Sequence, residues 1–345
     1  VRIGTCTSDA CSNPALLYSN GSITAATNDQ FELGEAVRFG TRHLALAVGA
    51  VNVGNAASLA AAGNRVPNGL VLNPTVLDRL LRGDTQYGAP ALGTLSLTAR
   101  DAFNFFGSVT LDTLDPQTGQ SKLQNLLLVT PAIYGLGDAS DVATIRTSNL
   151  IWNGATQNPG TVIKEGAGTG KGTLDIQAQR IELGYGPMPQ PNGLDQNNRL
   201  ALGFANVNLS ASDRITANHK GSLAVYQEQG AYDPVKGYTY RGGNLNLRTP
   251  LLTGEAASVS LLKAGNSLTL SGAGAVGVAN ALGAELNLEA RNVVLDSRIA
   301  LASGKLTVKS EDDLTLGSGA VLDMAGRTLP FNDVSKYSWG GDVSL

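Results

Sequence analysis

Apolar or small residues recur along this chain at relative positions 0, 2, 4, 8 and 10. The phrase begins at Leu95 (LSLTARDAFNF), Val207 (VNLSASDRITA), Leu268 (LTLSGAGAVGV) and Leu306 (LTVKSEDDLTL). A version one residue shorter begins at Leu174 (LDIQAQRIEL) and Leu286 (LNLEARNVVL). Each copy reads as two short strands, buried on one face, joined by a corner of two or three residues. From Val207 the phrase or its first half returns at Leu223, Leu245, Leu268, Leu286 and Leu306, at spacings of 16, 22, 23, 18 and 20 residues. A strand-rich period near 20 is the pattern of a solenoid, in which each coil buries its apolar positions only against its neighbours. The fold expected is therefore all-β: a right-handed parallel β-helix with loop insertions and one short helix, the hand following the usual crossover rule. One coil should contain Leu286, Leu288, Val293 and Leu295 as its inward core, lying beneath Leu306 and Leu316 of the next. Glu289, Arg291 and Asp296 should face solvent.

Two regions are expected. Residues 1–90 are less regular and strand-rich, with one helix signal over 74–82: Asn73 as N-cap, Pro74 at the first helical position, Val76, Leu77, Leu80 and Leu81 apolar, and Gly83 just beyond. Residues 91–345 form the β-helical region, with insertions near 112–172, 184–199 and 228–242. Such insertions sit at corners, where a packed stack tolerates them, and are the expected places of recognition. The closing stretch Gly340–Leu345 copies the pattern of Gly242–Leu247, which reads as the start of another coil in a longer polypeptide.

Composition fits this picture. Of 345 residues, 42 are glycine, 15% are charged and 42% are apolar, too hydrophobic for disorder. Glycine and asparagine suit tight corners. A net charge of −3 argues against a nucleic-acid partner, which needs a basic face. No run of 18 apolar residues occurs. Cys6 and Cys11 are expected to form a disulfide in an exported protein, a short loop stabilising by about 2 kcal/mol.

Candidate chemistry is thin. In GAGTGKGT (166–173), taking Gly170-Lys171 as the Gly-Lys pair of a phosphate loop puts Glu165 where the first glycine must fall and Gly172 where Ser or Thr is needed. The residues that follow read as strand rather than helix. His219, Asp213 and Ser222 lie close in sequence without a nucleophile elbow, and His43 stands apart. Glu311-Asp312-Asp313 lacks the spacing of a calcium loop. Asp175, Asp213, Glu289, Asp296 and Asp323 are scattered over the phrase. No catalytic residue, cofactor or metal site is expected.

The repeats GGNLNL, GTLDIQAQRIELG, ELNLEARNVVLDS and LTLGSGAVLDMAG resemble those of filamentous haemagglutinin-type exoproteins. Leu72–Thr113 resembles a region of very large members of that group. The resemblance implies a non-enzymatic segment of a secreted, cell-surface adhesin. It would be exported by two-partner secretion through an outer-membrane transporter and would serve attachment, biofilm and virulence. Its partners would be a host-cell glycan or protein, a matrix polysaccharide, or a copy of itself. The family's secretion domain carries Asn-Pro-Asn-Gly, whereas Val66–Leu70 reads VPNGL, which points to the shaft. Two other readings of a β-helix remain: a carbohydrate-active enzyme of polysaccharide-lyase type, and the stalk of a contact-dependent toxin-delivery protein.

Overall fold

The computed structural model of the chain describes residues 1–4, 15–185, 195–235, 237–274, 277 and 279–345. The chain is all-β, with strands accounting for 57% and helices for 6%. Nearly all pairing is parallel and falls into three ladders.

The first ladder is traced by one aliphatic column: Ile23, Leu44, Leu95, Leu126, Leu150, Ile181, Ile215, Leu252, Ile299 and Leu322, each the register partner of the next. The second runs from Leu70–Leu72 through Val51, Phe103, Ile133, Ala201 and Val225 to Ala264, and continues along Leu262, Leu288 and Val308. The third follows Val109, Ala143, Leu174, Val207, Leu245, Leu268, Val293 and Leu314. From Val109 onward the chain visits the ladders in the order third, first, second, third, with two omissions. It leaves the second ladder over 154–171, so that Ile133 pairs directly with Ala201. It leaves the first over 272–284, so that Leu252 pairs directly with Ile299. Followed from strand to strand, the pairing closes through twelve parallel strands, because Thr94–Phe106, Gly172–Leu183, Phe204–Ala217 and Glu285–Asp296 each turn a corner and serve two ladders. This closed ring of parallel strands stands where the sequence predicts a right-handed solenoid.

The corners explain the two lengths of the phrase. Between Ala178 and Arg180 the register slips by one against Ala211 and Arg214, and between Ala290 and Asn292 it slips by one against Ser310 and Asp313. The shorter copies simply turn with one residue fewer. His43–Gly54 does the same against Thr94–Phe106, which brings the region before residue 91 into the same ladders. Between 112 and 172, the strands Asn125–Val129, Ala132–Leu136, Val142–Arg146 and Asn149–Asn153 also continue the ladders, leaving 113–124 and 154–171 as the excursions. The phrase at Leu268 supplies only its first half. Its strand ends at Ser271, Gly272 and Gly274 take positive φ, and Ala275, Val276 and Val278 lie outside the described residues.

Among the described residues there are two short α-helices rather than one. Ala56–Ala62 is capped by Asn55, whose side chain accepts from the Ser58 N–H. The predicted helix spans Pro74–Leu80, and Asn73 accepts from the Val76 N–H. Its Leu77 and Leu80, with Leu81 beside them, join the main apolar core.

The inward set is buried as expected at Leu286, Leu288, Val293, Leu295 and Leu306, none more than 1% exposed. Leu316 is a correction. It is 47% exposed although it registers against Leu295, because 313–316 is the last rung of the third ladder and, among the described residues, no further strand pairs over it. Arg291 is exposed, but Glu289 sits between Lys309 at 3.0 Å and Lys263 at 3.4 Å, its register neighbours above and below. The hydrogen bond from Lys309 leads in holding its carboxyl below the usual range.

Replacing Leu288 with Ala should cost about 2–5 kcal/mol through the cavity it leaves. Glu289→Ala should cost less than about 1 kcal/mol, since its ion pairs are solvent-facing. Hydrogen exchange should show the Leu288→Ala loss concentrated on rungs around 262, 288 and 308. Equal protection loss in both variants would show that the inward register is wrong.

Candidate recognition surfaces

In a ladder, residues that flank an inward position point outward. On the second ladder these outward positions form a column of Asn52, Asn104, Tyr134, Leu202 and Tyr226. The column is apolar at Tyr134, Leu202 and Tyr226, and three excursions are seated on it. The Asn104 amide donates to Asn52 Oδ1 at 3.0 Å, and Asn52 donates to the Pro67 carbonyl at 2.7 Å, which seats the segment after the first helix. The Tyr134 hydroxyl donates to the Gly160 carbonyl at 2.8 Å, which seats the loop 154–171. Burial pushes that hydroxyl's pKa up. Tyr226 stacks on Tyr240 of an antiparallel hairpin, Glu228–Asp233 with Gly237–Arg241, at a ring separation of 4.8 Å. Leu59, Ala62, Val162, Ala167 and Leu202 fill a second small apolar core beneath these covers.

The hairpin carries rings outward from this anchor. Tyr238 lies 6.5 Å from Tyr240, and Tyr232 packs edge-on against Tyr238 at 5.1 Å. Tyr232 is 62% exposed, Tyr238 43% and Val235 92%. Aromatic side chains so placed offer a large, stiff, amphipathic contact area.

A second surface lies on the outer side of the third ladder, where it turns toward the first. Two adjoining depressions of about 850 and 760 Å³ share Gln177, Ala178 and Ser212. Their lining is amide and hydroxyl for the most part. Asn246 donates to Asn208 at 2.9 Å, and Gln177 donates to Asp175 at 2.6 Å while accepting from Arg146 at 3.1 Å.

The residues singled out in the sequence are not drawn together as chemistry. Asp213 receives Arg180 at 2.6 Å and Arg214 at 3.4 Å. Burial alone would raise its pKa, but the hydrogen bond from Arg180 and the charge of Arg214 outweigh it and hold it low. The Ser222 hydroxyl donates to Asn198 Oδ1 at 2.8 Å. His219 takes φ +59° at a corner, and His43 begins a strand on the first ladder. Asp312 pairs with Arg291 at 2.8 Å. Among the described residues, no group of three or more His, Cys, Asp or Glu could hold a metal ion. Cys6 and Cys11 lie outside the described residues. Gly172–Leu183 is a strand, and the glycines before it serve packing: the N–H groups of Gly168 and Gly170 both donate to the Gly135 carbonyl, at 2.8 and 3.0 Å.

No family model, curated protein or solved structure matches this chain.

One residue escaped the sequence reading altogether. Arg199 registers against inward Leu223 and is only 3% exposed, so an arginine points into the apolar interior. It donates to the carbonyls of Trp152 at 2.6 Å and Ser222 at 3.1 Å, and burial lowers its pKa to about 9. The one visible signal is its position two residues before inward Ala201, on the buried beat of the alternation.

Two outcomes follow. Gly203 has φ +84°, and a Cβ there would meet the Gly135 oxygen at 2.4 Å and the Gly168 carbonyl carbon at 2.7 Å. Gly203→Ala should destabilise by about 1–3 kcal/mol and raise protease sensitivity in 154–171; unchanged cleavage would contradict this seating. Asp213 has a folded pKa below its unfolded value of about 3.9. Its contribution is present above pH 4 and lost as pH falls through the folded pKa. Asp213→Asn should lower the urea midpoint at pH 7 and remove part of the acid-induced loss of stability below about pH 4. Parallel pH profiles for both proteins would count against the ion pair.

Proposed function

We propose that this chain is a segment of a bacterial surface adhesin of the filamentous haemagglutinin type. Its three ladders are the faces of a right-handed parallel β-helix, and it acts without catalysis. Export would use the two-partner route through an outer-membrane transporter. The rod would display its excursions to a host-cell surface or a biofilm matrix. The repeats named above and the ladder order support the architecture. The observation that carries the functional reading is the seating of three excursions on one outer column, among them a hairpin that exposes Tyr232, Tyr238 and Val235. An exposed aromatic patch on a stack that needs it for nothing internal is a docking surface.

The test is adhesion of beads coated with the protein to epithelial monolayers and to extracted biofilm matrix. Replacing 228–241 with Gly-Gly should lower bead retention at least tenfold while circular dichroism stays strand-dominated. Full retention by this variant, with every other excursion intact, would refute the hairpin's role.

A further inference from the structure

We infer that the trough on the outer side of the third ladder binds an uncharged linear polysaccharide laid across successive rungs. The inference rests on the adhesive reading but places a site on the ladder face, bordered by the excursion 113–124, rather than on the hairpin. Its spine is the register column Arg146, Gln177, Ser210, Arg248 and Ser271. Parallel rungs repeat at about 4.8 Å, so five of them span about 19 Å, enough for several sugar units in a row. Along this length the trough is continuous, since the two depressions meet at Gln177, Ala178 and Ser212.

Its chemistry selects the ligand. Beside the spine stand Asn208, Asn246 and Thr269, and nearer the corner Asn149 and Gln179. Amides and hydroxyls offer both a donor and an acceptor, which is what a polyol presents in return. Charge is sparse: two arginines and one aspartate line the whole trough. Arg146 is already engaged by Gln177 at 3.1 Å and faces Asp112 at 3.9 Å. A polyanion would need a run of cations along its length, and the trough has none. Among the described residues the lining contains no aromatic ring, so binding would rest on many weak hydrogen bonds in register, favouring long chains over single sugars.

The experiment measures binding of the full chain to hexamers of β-1,4-glucose, α-1,4-glucose and β-1,4-mannose, and to a hexamer of α-1,4-galacturonate, by calorimetry. At least one neutral hexamer should bind saturably, with its dimer at least tenfold weaker. Ser212 is exposed and lines both depressions, so Ser212→Trp should block the junction and weaken binding at least tenfold without disturbing the fold. Replacing 228–241 with Gly-Gly should leave hexamer binding within threefold of wild type, which separates this site from the hairpin. Preference for the galacturonate hexamer, binding insensitive to Ser212→Trp, or no binding of any hexamer would each overturn the trough. Loss of bead adhesion in the hairpin variant alongside any of these would leave the adhesive reading standing while this inference falls.

Discussion

Parallel backbone pairing, rung on rung in fixed register, is the constraint on which the rest of the structure depends. A slip of one residue would turn every side chain of a rung from the interior to the surface. Alternation must therefore be kept on each rung, and its beat must coincide with that of the rung before. The first-ladder column from Ile23 to Leu322 shows the result: ten aliphatic residues in line, from segments spread over nearly the whole chain. Each buried aliphatic contributes about 1.5–3 kcal/mol, so the stack is stabilised by repetition rather than by any single contact.

The same constraint decides where variation is tolerated. Corners lie between ladder segments, so a residue gained or lost there shifts no inward side chain, as the one-residue slips at Ala178/Arg180 and Ala290/Asn292 show. Larger additions still need somewhere to bury their own apolar groups. The second ladder supplies this by carrying Tyr134, Leu202 and Tyr226 on its outer side. The third ladder's outer side carries amides and hydroxyls instead and is open as a trough, with the excursion 113–124 along its border. One scaffold thus presents two unlike surfaces, one layered with excursions and one open.

Much of the interior was legible in the sequence because alternation is a local signal. Leu286, Leu288, Val293, Leu295 and Leu306 were placed correctly from spacing alone, and the shorter phrase foretold the shorter corner. Which ladder a given phrase joins was not legible. The copy at Leu95 serves the first and second ladders, those at Leu174 and Val207 the third and first, and those at Leu286 and Leu306 the second and third. All three faces make the same demand of a residue, so the phrase carries no label for its face. Leu44 through Val53 fits the shorter phrase too, yet its central Val-Gly-Ala blurs the beat. The exposure of Leu316 depends on what packs over its rung, and the trough on which outward residues become neighbours across rungs. Neither is contained in any window of ten residues.

The two omissions have a consequence for the relative lengths of the ladders. Where the chain leaves the second ladder over 154–171, the first and third ladders each advance two rungs while the second advances one. Over 272–284 the first ladder falls short by one in the same way. One side of the stack is therefore shorter by about 4.8 Å at each place. Like a course of bricks left out of one wall, each omission brings that face level with rungs that the other two reach only a course later. The length of each face is thus decided by which rungs the chain leaves out, separately from the number of residues it spends there.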